Sequence, residues 1–225
     1  MGLCAGVLVA GSAWGQPSFN VNQSYSVGLA IPDNDPTGLA VTESFSAPGI
    51  FSISQLTVSL NITGGANGDF YAYLQHGSGV SVLLNRVGRD SGNSIGYANP
   101  GMNVTFDDTA VNGDIHTYQL TLNPGVSQLT GTWQPDGRTI DPSLSLTSSP
   151  RTAPLSGFNG LDPNGNWTLF VADLDPGGIG TLQSFSLDVT GIPEPRTIWL
   201  LALGGISLVV GRGLAIRLNK ATSVK

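Results

Sequence analysis

Apolar and polar residues alternate through most of the chain, and a period of two is the pattern of strands with one buried face. In the stretch 56–62, Leu, Val, Leu and Ile take every second position, with Thr, Ser and Asn between them. The same alternation marks 70–74, 116–122, 167–171 and 185–189. We therefore expect an all-β domain whose core includes Val58, Leu60, Phe70, Trp167, Leu169 and Leu187.

Turn-forming residues separate the predicted strands. The chain contains 31 Gly and 14 Pro, and they cluster at 64–68, 99–101, 123–125 and 175–178. Many short strands joined by such turns are typical of a β-sandwich or jelly roll, which we expect over residues 16–191. One strand is expected to carry four side chains on a shared face: His116, Tyr118, Leu120 and Leu122.

Residues 1–15 have the features of a secretory leader. The apolar run from Leu3 to Ala13 leads into a site with small residues at Ala13 and Gly15, the −3 and −1 positions of a cleavage site. No Lys or Arg occurs before Arg86, so the usual basic segment is missing. Two alternatives stay open: the true start lies upstream of Met1, or the segment is a buried N-terminal strand.

The other end of the chain carries a second targeting pattern in residues 192–225. Pro193-Glu194-Pro195 is followed by the thirteen apolar and small residues Ile198–Val210, and then by Arg212, Arg217, Lys220 and Lys225. We expect a single hydrophobic helix of roughly 20 Å, which is short against the ~30 Å of bilayer hydrocarbon. The basic end should remain cytoplasmic and leave the preceding domain outside.

This tail resembles the PEP-CTERM sorting signal of exopolysaccharide-producing Gram-negative bacteria. The resemblance implies that an exosortase, a membrane transpeptidase, recognises the sorting motif Pro193, Glu194 and Pro195 and removes the tail. The protein would then be anchored transiently in the inner membrane and released to the cell surface or the extracellular matrix. A plain C-terminal membrane anchor is the alternative.

Charge is distributed unevenly along the chain. Five of the nine basic residues follow Pro195, so four basic residues face fifteen acidic ones before that point. An acidic body of this kind repels nucleic acid, which excludes a nucleic-acid partner. The one cysteine, Cys4, lies in the predicted leader, so the mature protein has neither disulfide nor thiol chemistry.

The order of motifs within 31–190 resembles the P domain, or homo-B domain, of subtilisin-like proprotein convertases. The most specific part is its end, where Gly165-Asn166-Trp167-Thr168-Leu169 is followed by Asp173 and then by Gly180-Thr181-Leu182-Gln183-Ser184-Phe185-Ser186-Leu187. The resemblance implies a jelly roll with Trp167 and Phe185 in its core. It implies no proteolysis, because the family's catalytic residues belong to a separate domain that has no counterpart here.

Oxygen-rich clusters make calcium the candidate cofactor. Carboxylate and amide side chains in loops are the ligands that hard cations use, although Asx turns use the same residues. The candidate ligands from the sequence are Asp107, Asp108, Asp162, Asp173 and Asp175, with Asp33, Asp35, Asn164 and Asn166 in similar clusters. Neither His76 nor His116 belongs to a zinc-type spacing.

A catalytic reading rests on Gly92-Asn93-Ser94-Ile95-Gly96, which fits the Gly-x-Ser-x-Gly pattern of a serine hydrolase. Asp107 or Asp114 and then His116 follow in the order of a hydrolase triad. However, the pattern requires a strand before it and a helix after it, and the following Asn99-Pro100-Gly101 is typical of a loop. We therefore expect no catalytic residues.

The sequence favours a non-catalytic, exported cell-surface or exopolysaccharide-matrix protein. The first alternative is a calcium-assisted carbohydrate-binding module, for which Tyr71 and Tyr73 would supply an exposed face that stacks on sugars. The second alternative is a serine hydrolase that uses Ser94. The expected partners are the secretion machinery with its exosortase, the membrane before processing, and an extracellular polysaccharide.

Overall fold

The computed structural model describes residues 18–193, and in this range nine strands form two sheets. The strands are β1 (Phe19–Ala30), β2 (Asp35–Phe45), β3 (Ile50–Ala66), β4 (Phe70–His76), β5 (Gly79–Asn85), β6 (Pro100–Phe106), β7 (Leu129–Trp133), β8 (Gly165–Asp173) and β9 (Thr181–Pro193). Four short 3-10 helices connect them at Asn67–Asp69, Ile115–Leu120, Pro142–Leu144 and Leu155–Phe158. The prediction of an all-β chain is confirmed for these residues.

One sheet has five strands in the order β1-β9-β3-β6-β7, and the other has four in the order β2-β8-β4-β5. Neighbouring strands pair antiparallel, except for the parallel pair of β6 and β7. Alternate side chains of both sheets enter one shared core. The described part of the chain is therefore a β-sandwich of the kind that period-two patterning predicts.

The core contains all six residues that the alternation predicted. Val58, Leu60 and Phe70 are fully buried, as are Trp167, Leu169 and Leu187. The Trp167 ring has Phe158 as an aromatic neighbour at 5.0 Å between centroids. Its indole nitrogen donates a hydrogen bond of 2.9 Å to the Pro163 carbonyl, so the one polar atom of the side chain is satisfied.

The prediction of a strand over 116–122 is wrong. Ile115–Leu120 is a 3-10 helix, and the Asp114 side chain caps it by accepting a 2.9 Å hydrogen bond from the His116 amide. His116 and Tyr118 are buried, whereas the Leu120 side chain is 85% exposed. An N-terminal Asp cap favours helical geometry, and it overrides the short alternating pattern that follows it.

Strand β9 continues two residues beyond the predicted domain boundary at Gly191. Ile192 pairs with Ser52 and Pro193 pairs with Ile50 of β3. The predicted leader, the apolar helix Ile198–Val210, and Glu194 and Pro195 of the sorting motif lie outside the described residues. Among residues 18–193, no helix has the length and apolar character that a membrane crossing requires.

Replacement of Trp167 by Ala should lower the free energy of unfolding by about 3–5 kcal/mol, because it empties the centre of the core. Denaturant unfolding of the full chain measures this loss. Phe19→Ala is the control, since Phe19 is 47% exposed on the edge strand β1 and its replacement should cost less than about 0.5 kcal/mol. A loss below about 1 kcal/mol for Trp167→Ala would contradict the two-sheet core.

Candidate functional site

Three aromatic rings form a platform on the outer face of the four-stranded sheet. Tyr73 of β4 lies directly opposite Phe170 of β8 in the strand register, and their rings stack at 4.9 Å with an interplanar angle of 19°. Tyr71 contacts both of them, at 6.0 Å from Tyr73 and 6.3 Å from Phe170. Adjacent strands hold all three rings, so the platform is rigid and half-buried at its base.

The platform forms the floor of a groove of about 490 Å³. Its walls combine apolar and polar groups: Pro36, Arg86, Asp141, Pro142, Ser143, Ala172 and Leu174. Beyond Phe170 the same sheet face is polar, since the hydroxyls of Thr168 and Thr42 are hydrogen-bonded at 2.8 Å. An apolar floor with a few convergent polar groups is the usual composition of a binding site for an organic ligand.

Arg86 connects this groove to a group of carboxylates. Its backbone is in the left-handed region with φ of +54°, which is uncommon for a residue other than glycine. Its Nε donates to the Gly68 carbonyl at 2.9 Å, and one terminal nitrogen forms an ion pair with Asp175. The same side chain therefore lines the groove and reaches Asp175.

Two of these carboxylates, Asp69 and Asp173, are buried at adjacent strand ends. Asp69 immediately precedes β4, and Phe70 pairs with Asp173 at the end of β8. The Asp69 carbonyl accepts a 2.9 Å hydrogen bond from the Leu174 amide, which fastens the two segments together. Asp69 is 7% exposed and Asp173 is fully buried.

The acidities of both groups reflect this environment. Burial first, and then repulsion from Asp173 and Asp175, raises the pKa of Asp69 to about 7. Burial, with smaller effects from Asp33 and Asp175, raises the pKa of Asp173 to about 6. Arg86 opposes both increases but does not cancel them. The region therefore holds more negative charge than its one guanidinium compensates.

A cleft of about 370 Å³ opens beside the carboxylates. Asp69 and Asp175 line it together with Tyr97 and the exposed side chain of Ile95. The backbone at 96–97 approaches Gly68 closely, because a Cβ atom on Gly68 would lie 2.6 Å from the Tyr97 nitrogen. Glycine at position 68 thus allows the wall of the cleft to form next to Asp69.

The other acidic clusters from the sequence lie in turns and caps. Asp107 accepts hydrogen bonds from the amide and hydroxyl of Thr109, both at 2.8 Å, and Asp108 caps the helix Leu155–Phe158. Asp162 accepts from the amide of Asn164 at 2.9 Å. Within residues 18–193, no three His, Cys, Asp or Glu side chains are grouped as a metal site. Calcium binding at any of the predicted clusters stays a prediction.

The His76 ring is hydrogen-bonded to the loop that contains Asp162. Its Nδ1 lies 2.8 Å from the Asn166 carbonyl, and its Nε2 lies 2.7 Å from the Asp162 carbonyl. Its ring is stacked on Trp167 at 4.2 Å and 4°. His76 therefore holds a loop against the core, and both of its nitrogens are engaged.

The structure does not assemble the candidate triad. His116 contacts Asp136 through Nδ1 at 2.7 Å and the Arg89 carbonyl through Nε2 at 2.9 Å, so neither nitrogen faces the Ser94 hydroxyl. The Asp114 carboxylate pairs with Arg138 at 2.8 Å and not with the His116 imidazole. Ser94 lies in an irregular loop that no helix follows. The strand–turn–helix geometry of a nucleophile elbow is not formed at this serine.

Sequence reasoning identified Tyr71, Tyr73, Asp173 and Asp175 but not Phe170, Arg86 or Asp69. Phe170 lies between the buried Leu169 and Val171, so the alternation along β8 already places its ring on the outer face of the sheet. Its place beside Tyr73 depends on the pairing of β4 with β8, which are far apart in the sequence. The positive φ of Arg86 could not be predicted, because no local sequence pattern distinguishes this arginine from one with ordinary backbone geometry.

The acidities of Asp69 and Asp173 predict a pH-dependent stability. A carboxyl with a higher pKa in the folded than in the unfolded state binds more protons when folded. Its contribution to the free energy of unfolding therefore falls as pH rises from about 4, the unfolded value, to the folded pKa. We therefore expect the free energy of unfolding of the full chain in EDTA to decrease between pH 4 and 7.

The control is the double variant Asp69→Asn, Asp173→Asn, measured by denaturant unfolding across the same pH range. The wild-type free energy of unfolding should fall more steeply with pH than that of the variant, because the histidines and the other carboxylates are common to both. Parallel profiles would contradict the raised pKa values.

No protein-family model matches the chain, and no curated protein matches it. Among solved structures, it is similar to a serine protease of Aeromonas sobria, at 15% identity over 81% of this chain and a TM-score of 0.45. The complex of that protease with its chaperone gives 16% identity over 78% of this chain, also with a TM-score of 0.45. FlhE gives 11% identity over 80% of this chain and 99% of its own, with a TM-score of 0.34. The chain spans 27% to 28% of the matched chains in the two Aeromonas structures, and none of these similarities assigns it to a family.

Proposed function

We propose that this chain is a non-catalytic, exported protein of the cell surface or exopolysaccharide matrix, and that its sandwich binds polysaccharide. The observation that carries the proposal is the aromatic platform of Tyr71, Tyr73 and Phe170 at the floor of an open groove. The three rings are half-buried and contiguous on the outer face of the sheet, and a contiguous apolar surface of this kind is typical of a binding site.

The chemistry of the groove suits a sugar chain. The apolar faces of pyranose rings pack on aromatic rings, and the sugar hydroxyls need hydrogen-bonding groups at the edge of the contact. Asp141 and Ser143 stand at one wall, and Arg86 supplies a cationic donor at the other. The domain is strongly acidic, and Arg86 is already paired with Asp175, so a neutral polysaccharide is favoured over an anionic one.

Export is supported by the two ends of the sequence. The leader pattern in 1–15 would direct the chain across the inner membrane. The apolar segment of the tail in 192–225 would hold the protein there until an exosortase processes it at Pro193-Glu194-Pro195. The motif resemblance over 31–190 adds the finer proposal that the sandwich is a jelly roll of the P-domain type. In this account the domain serves as a binding module without a protease.

The calcium-assisted carbohydrate-binding module is a variant of the same proposal, and the carboxylates beside the groove favour it. The hydrolase alternative gains no such support, because both nitrogens of His116 are engaged away from Ser94. A non-catalytic role is therefore the function that we propose.

Replacement of either platform residue, Tyr73→Ala or Phe170→Ala, should weaken binding to neutral exopolysaccharide of the host roughly tenfold, since loss of one stacked ring removes about 1–1.5 kcal/mol. Isothermal titration calorimetry on the full chain measures the change. Phe51→Ala is the matched control, because Phe51 is an aromatic residue that is 59% exposed on the five-stranded sheet. Wild-type affinity in both platform variants, or an equal loss in the control, would contradict the proposal.

The export proposal has its own measurement. Intact-mass analysis of the protein secreted by its native host should show the segment from near Pro193 onward removed. Deletion of the exosortase should leave a longer, membrane-retained form. Secreted protein that still ends at Lys225 would contradict the sorting mechanism and leave the groove proposal unaffected.

A further inference from the structure

Three buried side-chain oxygens in residues 18–193 have no hydrogen-bond partner, and one of them, Asp173 Oδ2, belongs to a carboxylate. Asp173 is fully buried; its Oδ1 lies 3.4 Å from the Asp175 amide, and its Oδ2 accepts no hydrogen bond. Burial of an unpaired carboxylate oxygen is costly, so such an atom is retained where something else satisfies it. A proton, a water molecule or a cation would satisfy it, and a cation would also offset the charge of the surrounding carboxylates.

The surroundings of Asp173 add negative charge instead of removing it. Asp69 lies at the adjacent strand end and is repelled by Asp173, while Asp33 and Asp175 repel both. Arg86 is the cation at this place, and its side-chain bonds are directed to Asp175 and to the Gly68 carbonyl. The guanidinium is thus engaged with neighbours of Asp173 and leaves Oδ2 unpaired.

We infer that a calcium ion binds between the carboxylates of Asp69 and Asp173. The available donors are carboxylate and carbonyl oxygens, which hard cations prefer, and no imidazole or thiolate takes part. The two carboxylates supply at most four of the six to eight oxygens that calcium binds. Backbone carbonyls and water would complete the coordination. The cleft that Asp69 lines gives the ion and its water access from solvent.

Calcium fits this place better than magnesium. Calcium accepts six to eight oxygens in flexible geometry, whereas magnesium requires a near-ideal octahedron and retains most of its water. The carboxylates are fixed by strand ends and are nearly closed to solvent on the Asp173 side. We expect a dissociation constant of roughly 0.1–1 mM, the range of extracellular calcium modules.

A bound ion would join the start of β4 to the end of β8. Both strands carry the aromatic platform, with Tyr71 and Tyr73 on β4 and Phe170 on β8. Calcium would therefore stiffen the support of the groove without contacting its ligand. The inference stands independently of polysaccharide binding, because the carboxylates and the rings are separate groups.

The test is a thermal unfolding series on the full chain at pH 8, in EDTA and in 10 mM CaCl₂. Wild-type Tm should rise by about 3–8 °C in calcium, as expected for a ligand at tens of times its dissociation constant. Asp173→Asn and Asp69→Asn should show no rise. In EDTA, Asp173→Asn should unfold at or above the wild-type Tm, because the substitution removes an uncompensated buried charge.

Asp107→Asn is the matched control, since Asp107 occupies a turn where it accepts hydrogen bonds from Thr109. Its Tm should rise in calcium as much as that of the wild type. Tyr73→Ala should also keep the full rise, which separates failure of the cation site from failure of the groove. If either Asn variant does not fold, calorimetric titration of wild-type protein with CaCl₂ should still give one site per chain.

Four outcomes would overturn the inference. These are an unchanged wild-type Tm in calcium, an undiminished rise in both Asn variants, no binding heat for calcium, and an equal response to MgCl₂. The last of these would leave a cation site without selectivity for calcium.

Discussion

The crossover from β8 to β9 is the constraint on which the rest of the sandwich depends. β8 lies between β2 and β4 in one sheet, and β9 lies between β1 and β3 in the other, so the segment 174–180 must carry the chain between the two layers. The Phe70 ring fills the corner beneath it. A Cβ atom at Gly180 would lie 2.7 Å from that ring and one at Gly65 would lie 2.4 Å from it, so both positions require glycine.

This crossover also determines where charge is buried. Because β8 ends beneath the loop, Asp173 is enclosed, and because the loop turns back over β4, Asp175 reaches Arg86. Arg86 in turn forms one wall of the aromatic groove. The groove and the carboxylates are therefore two consequences of the same chain path, and both lie where β4 and β8 run side by side.

Local patterning was sufficient to predict the strands that have one buried face. The alternation in β3, β4, β8 and β9 predicted both the strands and the core residues Val58, Phe70 and Trp167, because burial on one face leaves that signal directly in the sequence. The same reasoning failed at 116–122, where an Asp114 cap and a buried network around His116 select a 3-10 helix. Three or four alternating residues are too few to outweigh a cap.

The candidate site depends on contacts between distant segments, and the sequence predicted only its separate parts. Tyr71 and Tyr73 were identified by their outward positions, but the third ring, Phe170, joins them through a strand pairing that spans about a hundred residues. Asp173 was one of many candidate ligands. Its distinction, an unpartnered buried oxygen beside Asp69, arises from the packing of two strand ends and has no local sequence pattern.

The most direct test of the account is hydrogen–deuterium exchange of the full chain with and without neutral exopolysaccharide of the host. Binding at the groove should slow exchange in the segment 139–144 and in residues 35–38 at the start of β2, which border the aromatic platform. It should leave the loops 107–114 and 121–128 unchanged. Protection confined to those latter loops, or to the five-stranded sheet, would contradict the claim that the platform is the binding surface.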